Sequence, residues 1–309
     1  MKVELAHSFK IPRSPRAIAT EPQARMIAVR SQREVYLFTE EGKEIARWTL
    51  PGKDRIDGMT IHPAGTYIAV ATLRELLICD SSDGTIKSKP YGRWGQYSFC
   101  EPAYSACGSF LYIVAPEEDT NNPCVQVLNT ADLTVIDECQ LLLDEECGYS
   151  FVFHPNGKQG FIDAGAGQDG IWAYRFSLSK TGLSVEHLPE LDWRPVNSIR
   201  PNGKEILTSS MMDGCLQRRN LRSLDVLEEI EDELGVTMYQ AYYFDNKHIL
   251  ARLDEEEALG LLHADTLEVD KLLDIEAGED LHTHRMFGER TIATCYSKAK
   301  EVRIWRCVD

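Results

Sequence analysis

The sequence lacks the features that mark several large classes of protein. Its 309 residues contain no stretch that approaches the roughly 20 apolar residues of a membrane-spanning helix. The opening residues MKVELAHSFK carry no apolar core of a signal peptide. The nine cysteines form no CxxC pair, and several lie in apolar runs such as LLICD and IATCY. These absences predict a cytoplasmic protein whose cysteines are buried thiols in a reducing compartment.

Positive charge is also scarce. The chain has 33 lysines and arginines against 49 acids, for a net charge of −16. Residues 222–280 hold 18 acids against four bases, a net of −14, whereas residues 1–50 hold nine bases against six acids, a net of +3. An acidic surface repels phosphate backbones and anionic lipids, so we expect neither nucleic acid nor membrane as a partner.

Motifs that would hold a cofactor or a nucleophile are missing or incomplete. The chain contains no GxSxG elbow and no P-loop. GAGQDG at 165–170 matches the dinucleotide motif GxGxxG, but pyrophosphate binding needs a helix after it, and the alternating IWAYRF that follows predicts a strand. LDEEEA at 253–258 lacks the Asp-x-Asp-x-Asp-Gly spacing that wraps calcium. We therefore expect no cofactor.

One turn motif is present several times. FHPNGK at 153–158 returns as IRPNGK at 199–204 and, loosened, as IHPAGT at 61–66. We align the repeats on the first apolar residue after each turn or its weaker copy, and call this residue the anchor. Successive anchors are 41 to 49 residues apart. The seven anchors are Ile27, Ile68, Leu111, Gly160, Ile206, Ile249 and Ile292. A period near 44 residues carried seven times indicates a repeat architecture.

Each repeat is rich in β-strand signals. Four short apolar runs of Val, Ile, Leu and Tyr are separated by turns of Gly, Asp, Asn and Pro. Four strands in about 44 residues fit one blade of a β-propeller. Between the first and second strands, Pro fixes φ and Gly takes a positive φ, so we expect His62 and His154 to be turn residues rather than ligands.

The last repeat is one strand short. It ends with its third strand, EVRIWRCVD at 301–309, whereas KVELAHSF at 2–9 resembles the fourth strands LEVDKL and LTVIDEC. We predict that residues 2–9 complete the seventh blade and remove its open edge. The chain is thus predicted to be all-β, a single domain over residues 1–309 that forms a seven-bladed propeller closed by its N-terminal strand.

On these repeats the chain resembles the WD-repeat and YVTN-like superfamily of seven-bladed propellers. Most third strands lack Trp-Asp, and IWR at 304–306 is the nearest match. The stretch FHPNGKQGFIDAGAGQDG is similar to blades of the lactonase-like branch, where a second-strand run ends in an Asn-Glu pair of the hydrolytic site. The matching run here, FIDAGAG, has no Glu. The resemblance implies a fold and leaves the function open.

In this topology, the loops between blades and those between second and third strands lie on one face, which we call the loop face. It collects aromatic and arginine residues typical of interfaces, together with acidic side chains. We expect a protein partner with a basic patch to dock there, although Trp94 and Trp193 equally fit a role as plugs between blades. The predicted docking residues are Arg93, Trp94, Tyr97, Trp193, Arg194, Tyr239, Glu255, Glu256 and Glu257.

Two histidines open the first strand of the seventh repeat. Alternation along a strand would put His282 and His284 on one face, and first strands line the central channel. Because two histidines without a third ligand do not make a metal site, we expect them to line the channel and no metal to bind.

Three functions remain open from the sequence. They are a non-enzymatic protein-binding scaffold, a lactonase-like hydrolase, and an inhibitory or toxin-neutralising binder. We favour the scaffold, because no motif of an activated nucleophile is present. The hydrolase would require a catalytic carboxylate in the channel with a basic group nearby.

Overall fold

The strands form seven sheets that are arranged as the seven blades of a β-propeller. The computed structural model describes residues 2–91, 99–117, 122–141, 143, 147–210, 215–230, 236–253, 258–276, 281–287 and 290–308. Within these ranges, the side chains of residues 168, 236–240, 276, 282 and 283 are not described. The prediction of an all-β, seven-bladed propeller is confirmed.

The strands follow the chain in blade order after β1 (Lys2–Lys10), which belongs to blade 7. Blade 1 holds β2 (Ala17–Glu21), β3 (Met26–Ser31), β4 (Glu34–Thr39) and β5 (Glu44–Thr49). Blade 2 holds β6 (Ile56–Ile61), β7 (Tyr67–Thr72), β8 (Glu75–Asp80) and β9 (Ile86–Pro90). A short strand, β10 (Phe99–Cys100), precedes blade 3, which holds β11 (Ala103–Tyr104), β12 (Phe110–Pro116), β13 (Pro123–Asn129) and β14 (Val135–Gln140).

The second half of the ring continues in the same way. Blade 4 holds β15 (Gly148–Phe153), β16 (Gln159–Gly165), β17 (Ile171–Ser179) and β18 (Gly182–His187). Blade 5 holds β19 (Val196–Ile199), β20 (Glu205–Ser209), β21 (Leu216–Asn220) and β22 (Val226–Ile230). Blade 6 holds β23 (Val236–Tyr243), β24 (His248–Leu253), β25 (Ala258–His263) and β26 (Val269–Glu276), and blade 7 holds β27 (Leu281–Met286), β28 (Thr291–Tyr296) and β29 (Glu301–Val308). Two 3-10 turns cover Gly167–Asp169 and Pro189–Leu191.

Burial explains why the strands differ in sequence. The middle strands of a blade are covered on both sides by neighbouring blades, so runs such as YIAVAT in β7 are buried at nearly every position. The fourth strands lie at the rim and carry mostly exposed or half-buried residues, as VIDECQ in β14 does at every position. The apolar runs of the sequence therefore mark the interior of the ring, and its mixed runs mark the rim.

The ring is closed by its first strand. β1 pairs antiparallel with β29 over eight residue pairs, from Lys2 with Val308 to Lys10 with Glu301, and a bulge interrupts the pairing between Leu5 and His7. The prediction that residues 2–9 complete blade 7 is confirmed, and the strand runs one residue further. Main-chain hydrogen bonds between the two ends of the chain thereby replace an open sheet edge.

Two further sequence expectations are met. The histidines of the HPxG turns belong to those turns, since Nδ1 of His62 accepts the Ala64 N–H and Nδ1 of His154 accepts the Asn156 N–H. In the GAGQDG segment, the 3-10 turn is followed by the strand β17. A dinucleotide-binding helix is thus absent from this described segment.

The cysteines are free thiols. Seven of the nine are buried, Cys139 is half-buried and Cys107 is exposed. The prediction of buried thiols is therefore confirmed for most of them. Among the described residues, no helix has both the length and the apolar character needed to cross a membrane.

Candidate functional site in the central channel

A cavity of 610 Å³ lies in the central channel. Its walls come from the first strands of blades 4 to 7, and from the segment that carries Phe99 and Glu101 ahead of blade 3. Gly165, Gly167 and Ile171 also line it, and they belong to the hairpin between the second and third strands of blade 4. The channel cavity therefore opens on the loop face.

The lining is mainly apolar with a few polar groups. The apolar part includes Phe99, Tyr149, Phe151, Val152, Ile171, Pro195 and Val196. The polar groups are Glu101, Ser150, Asp163, Asn197, Tyr242 and Arg285. A concave, apolar wall with a few fixed polar groups is typical of a ligand site.

Asp163 is the most unusual of the polar groups. It lies in β16 between the buried residues Ile162 and Ala164, and only 8% of its surface is exposed. Oδ2 accepts the N–H of Val196 at 2.9 Å, whereas Oδ1 is buried and has no hydrogen-bond partner among the described residues. Burial raises the pKa of Asp163 to about 8, against the opposing effect of the Val196 hydrogen bond. The carboxyl is therefore mostly protonated at pH 7.

The position of Asp163 recurs in the repeat. Three residues after the anchor, blade 1 has Arg30, whose Nη1 donates to the carbonyl oxygen of Ile56, and blade 6 has Arg252, whose Nη1 donates to that of Leu281. Like Val196, these two partners are the first residues of the next blade's first strand. In blades 1, 4 and 6 this position therefore fastens neighbouring blades, and among the seven repeats only blade 4 has an acid there.

Asn197 stands beside the Asp163 contact on blade 5. The pairing of β19 with β20 shifts between Val196 and Ser198, so Asn197 is the extra residue of a β-bulge. Its Oδ1 accepts the Ser209 hydroxyl at 3.2 Å, whereas its buried Nδ2 has no partner in the described part of the chain. Because a bulge redirects a side chain, it accounts for the placement of an amide in the channel wall.

The cavity also contains a positive charge on blade 7. Nη1 of Arg285 donates to the hydroxyl of Tyr242 at 3.2 Å and to the carbonyl oxygen of His284 at 3.0 Å. The guanidinium lies 5.8 Å from the centre of the Tyr242 ring. The charge interaction with Tyr242 raises the pKa of Arg285, and Glu101 adds to it against the effect of burial. The cavity therefore holds a fixed cation and an acid, Glu101, that offsets its charge.

A glycine makes room for one aromatic wall. β10 pairs parallel with β15, where Phe99 is opposite Gly148. A Cβ atom at Gly148 would overlap the Phe99 ring, so a larger residue would push this ring out of place. Phe99 is 38% exposed, which is high for a phenylalanine and leaves its ring available at the cavity.

Of the predicted docking residues, two can be placed with their side chains. The backbone N–H of Trp193 donates to the carbonyl oxygen of Ile171 at 2.8 Å. The half-buried indole lies against Gly170, near Trp172. Nη1 of Arg194 donates to Sγ of Cys215 at 2.9 Å. Trp193 thus covers the hairpin of blade 4 and keeps part of its surface available for contact.

The other predicted docking residues cannot be placed in this way. Tyr239 lies in β23, but its side chain is outside the described residues. The rest lie wholly outside them, namely Arg93, Trp94, Tyr97, Glu255, Glu256 and Glu257. Their docking role stays a prediction.

The two channel histidines are separated by a bulge. The pairing of β27 with β28 shifts between Leu281 and Thr283, so His282 interrupts the alternation on which the prediction of a shared face rested. The His282 side chain is not described. His284 is fully buried and packs edge-on against Tyr242, with 5.9 Å between ring centres. His284 therefore supports a residue of the cavity wall.

The sequence reasoning missed the polar groups of the cavity. Asp163 lies in the run FIDAGAG. The likeness of this run to the lactonase-like blades draws attention to the missing Glu and not to this Asp. Its signal was an acid in an apolar second strand, at a position where other repeats carry Arg, Ala, Val, Ser or Cys. Glu101, Asn197 and Arg285 gave no comparable signal.

No protein-family model matches the chain, and a search of curated proteins finds no relative. The functional inference therefore depends on the fold and on the geometry of the channel cavity.

Proposed function

We propose that the protein is a non-enzymatic binding scaffold, which docks a protein partner with a basic surface on the loop face. The observation that carries the proposal is the channel cavity, a concave site of 610 Å³ at the centre of that face. Protein partners commonly anchor large side chains in such concave sites.

Closure of the ring supports a docking role. β1 pairs with β29 and so completes blade 7. Its Phe9 packs on Phe38 of blade 1, with 4.6 Å between ring centres, and thereby joins the last blade to the first. A rigid platform loses little conformational freedom when a partner binds, so more of the contact energy appears as affinity.

Charge supports a basic partner. Residues 222–280, which run from the end of blade 5 through blade 6 to the loop after it, carry a net charge of −14. Glu229 and Asp274 are exposed acids near the loop-face ends of the fourth strands of blades 5 and 6. Such a sector attracts a basic surface, and the effect weakens with salt because screening acts over roughly 8 Å at physiological ionic strength.

Capture from a lysate of the native organism tests the proposal. The tagged protein is compared with a variant that carries Glu255→Lys, Glu256→Lys and Glu257→Lys. We expect a stoichiometric basic protein to be retained by the native chain at low salt, and to be lost from the variant. Assay of that protein free and bound shows whether docking inhibits it.

A matched control keeps the same change in charge elsewhere. Glu41, Glu138 and Glu186 are exposed acids of blades 1, 3 and 4, and their replacement by lysine should leave capture unchanged. Absence of a stoichiometric partner, or equal loss of the partner from both variants, would contradict the docking proposal.

One observation favours a second function, a lactonase-like hydrolase. Asp163 and Arg285 line one cavity, and a hydrolase of this kind would use a carboxylate and a basic group in the channel. With a pKa of about 8, Asp163 would act as a base only where it is ionised. Hydrolysis of lactones that rises with pH through 8 and is lost in Asp163→Asn would support this function, and no turnover at pH 9 would remove it.

A further inference from the structure

We propose that the channel cavity is also a binding site for a small uncharged organic molecule, whose carbonyl or hydroxyl oxygen accepts hydrogen bonds from Asp163 and Asn197. The ligand would occupy the same cavity that the docking proposal assigns to a side chain of the partner, but its binding is tested on the isolated chain, so either proposal can fail without the other.

Two unmet hydrogen-bonding atoms carry the inference. Oδ1 of Asp163 and Nδ2 of Asn197 are both buried and have no partner among the described residues. They come from adjacent blades, Oδ2 of Asp163 accepts the backbone N–H of Val196 next to Asn197, and both residues line the same cavity. Buried polar groups almost always have a hydrogen-bond partner, and one without a partner destabilises the fold. A ligand that forms hydrogen bonds with both groups would remove this destabilisation, which would add to its affinity.

The charge state of Asp163 selects an uncharged ligand. Oδ2 accepts the Val196 N–H, so the proton of the neutral carboxyl belongs on Oδ1, which becomes a donor. The Asn197 amide is a second donor. A carbonyl or hydroxyl oxygen accepts from both, whereas a cation would face two donors and be repelled.

The surrounding ionisable groups do not change this preference. Those that line the cavity are Glu101 ahead of blade 3, Tyr149 on β15, Tyr242 on β23 and Arg285 on β27. The strand β19, which supplies the bond to Asp163, carries no ionisable side chain. Arg285 is held by Tyr242 and lies in the field of Glu101, so no net charge in the wall demands an ionic ligand.

The rest of the cavity suits an apolar body. Phe99, Phe151, Val152 and Ile171 line it, and aromatic rings pack well on such walls. A volume of 610 Å³ accommodates a molecule larger than a single aromatic ring. The ligand class is therefore an apolar molecule, aromatic or alicyclic, with an uncharged oxygen at one end.

Three probes of one shape test this class. Benzamide is uncharged, benzoate is an anion and benzylamine is a cation at pH 6.5, where all three are titrated against the full chain by ligand-observed NMR; benzamide is titrated again at pH 9.5. We expect benzamide to bind in a saturable way at pH 6.5, and more tightly than either ion. At pH 9.5 its affinity should fall by about tenfold or more, because Asp163 with a pKa of about 8 has lost its proton.

Substitutions assign the effect to the two residues. Asp163→Asn keeps an acceptor for the Val196 N–H and a donor for the ligand, so binding of benzamide should persist and its pH dependence should disappear. Asn197→Ala should weaken binding at both pH values, and Glu186→Gln at the exposed rim should change neither. The proposal is overturned if benzamide does not saturate, if either ion binds better at pH 6.5, or if Asp163→Asn retains the pH dependence while Asn197→Ala binds normally.

Discussion

The Nε2 atom of His62 lies 3.1 Å from the carbonyl oxygen of Gly108, which belongs to the next blade. His154 makes the same contact with Gly203 at 3.1 Å. Because Nδ1 of each histidine accepts a turn N–H, the ring proton resides on Nε2 and is donated across the blades. The HPxG turns of blades 2 and 4 therefore reverse the chain and also fasten these two blades to their neighbours.

Loss of either histidine should loosen one blade contact. We expect His62→Ala and His154→Ala each to lower the free energy of unfolding by about 1–3 kcal/mol, since each leaves a neighbouring carbonyl and a turn N–H without its partner. Urea unfolding followed by circular dichroism measures the loss. Replacement of the exposed His263 is the control and should cost less than about 0.5 kcal/mol. Equal losses for His62 and His263 would contradict a fastening role.

Blade 5 uses an arginine in place of that histidine. Nη1 of Arg200 lies 2.8 Å from both Glu205 and Asp265, and its Nε donates to the carbonyl oxygen of Asn246 in blade 6. Arg200 is buried, so Arg200→Met should lower the free energy of unfolding by about 3 kcal/mol. The exposed pair of Arg47 and Glu44 is the matched control.

The two arginines should also differ in their response to salt. Arg47→Met should change the free energy of unfolding much less than Arg200→Met does, because water and salt screen an exposed pair. Thermal and urea unfolding at low and high salt compare the variants. A small loss for Arg200→Met, similar to that for Arg47→Met, would show that the cluster does not fasten the blades.

Asp163 should make stability depend on pH. Its folded pKa of about 8 exceeds the ordinary value, so its neutral form stabilises the fold. This contribution is complete below the pKa of an unfolded aspartate and is lost as pH rises through 8, with a slope of at most about 1.4 kcal/mol per pH unit. Unfolding of Asp163→Asn between pH 5 and 9 should lack this component. If the free energy of unfolding changed with pH in the same way for the native chain and for Asp163→Asn, a buried neutral carboxyl would be contradicted.

The first strand should be required for a stable ring. Deletion of residues 2–10 exposes the edge of β29 and removes the contact of Phe9 with Phe38. We expect a large fall in the unfolding temperature and self-association through the open edge. Addition of a peptide with the sequence KVELAHSFK should raise that temperature again. Identical unfolding of the truncated and full-length proteins would show that closure by β1 contributes little.

The fold could be predicted because each level of the sequence pointed to it. The anchors recur seven times, the Pro and Gly turns mark several of the repeats, and the last repeat lacks one strand. Even the pairing of β1 with β29 followed from counting strands. The burial of His284 behind Tyr242 did not follow, because a β-bulge at His282 breaks the alternation of the strand.

The cavity was harder to predict because its residues come from distant repeats. Glu101, Asp163, Asn197 and Arg285 meet only when the ring closes. Asn197 reaches the wall through another bulge, which hydrophobic periodicity does not reveal. The raised pKa of Asp163 depends on its burial between two blades. In the sequence, the sign of this raised pKa is the presence of an acid in an apolar strand.

The association rate of a captured partner tests the docking function most directly. The rate is measured by surface binding at low and physiological salt, for the native chain and for the variant with Lys at 255, 256 and 257. We expect the variant to associate several-fold more slowly at low salt, with a smaller difference at physiological salt, whereas the variant at Glu41, Glu138 and Glu186 matches the native chain. An unchanged association rate at low salt would contradict electrostatic docking on the loop face.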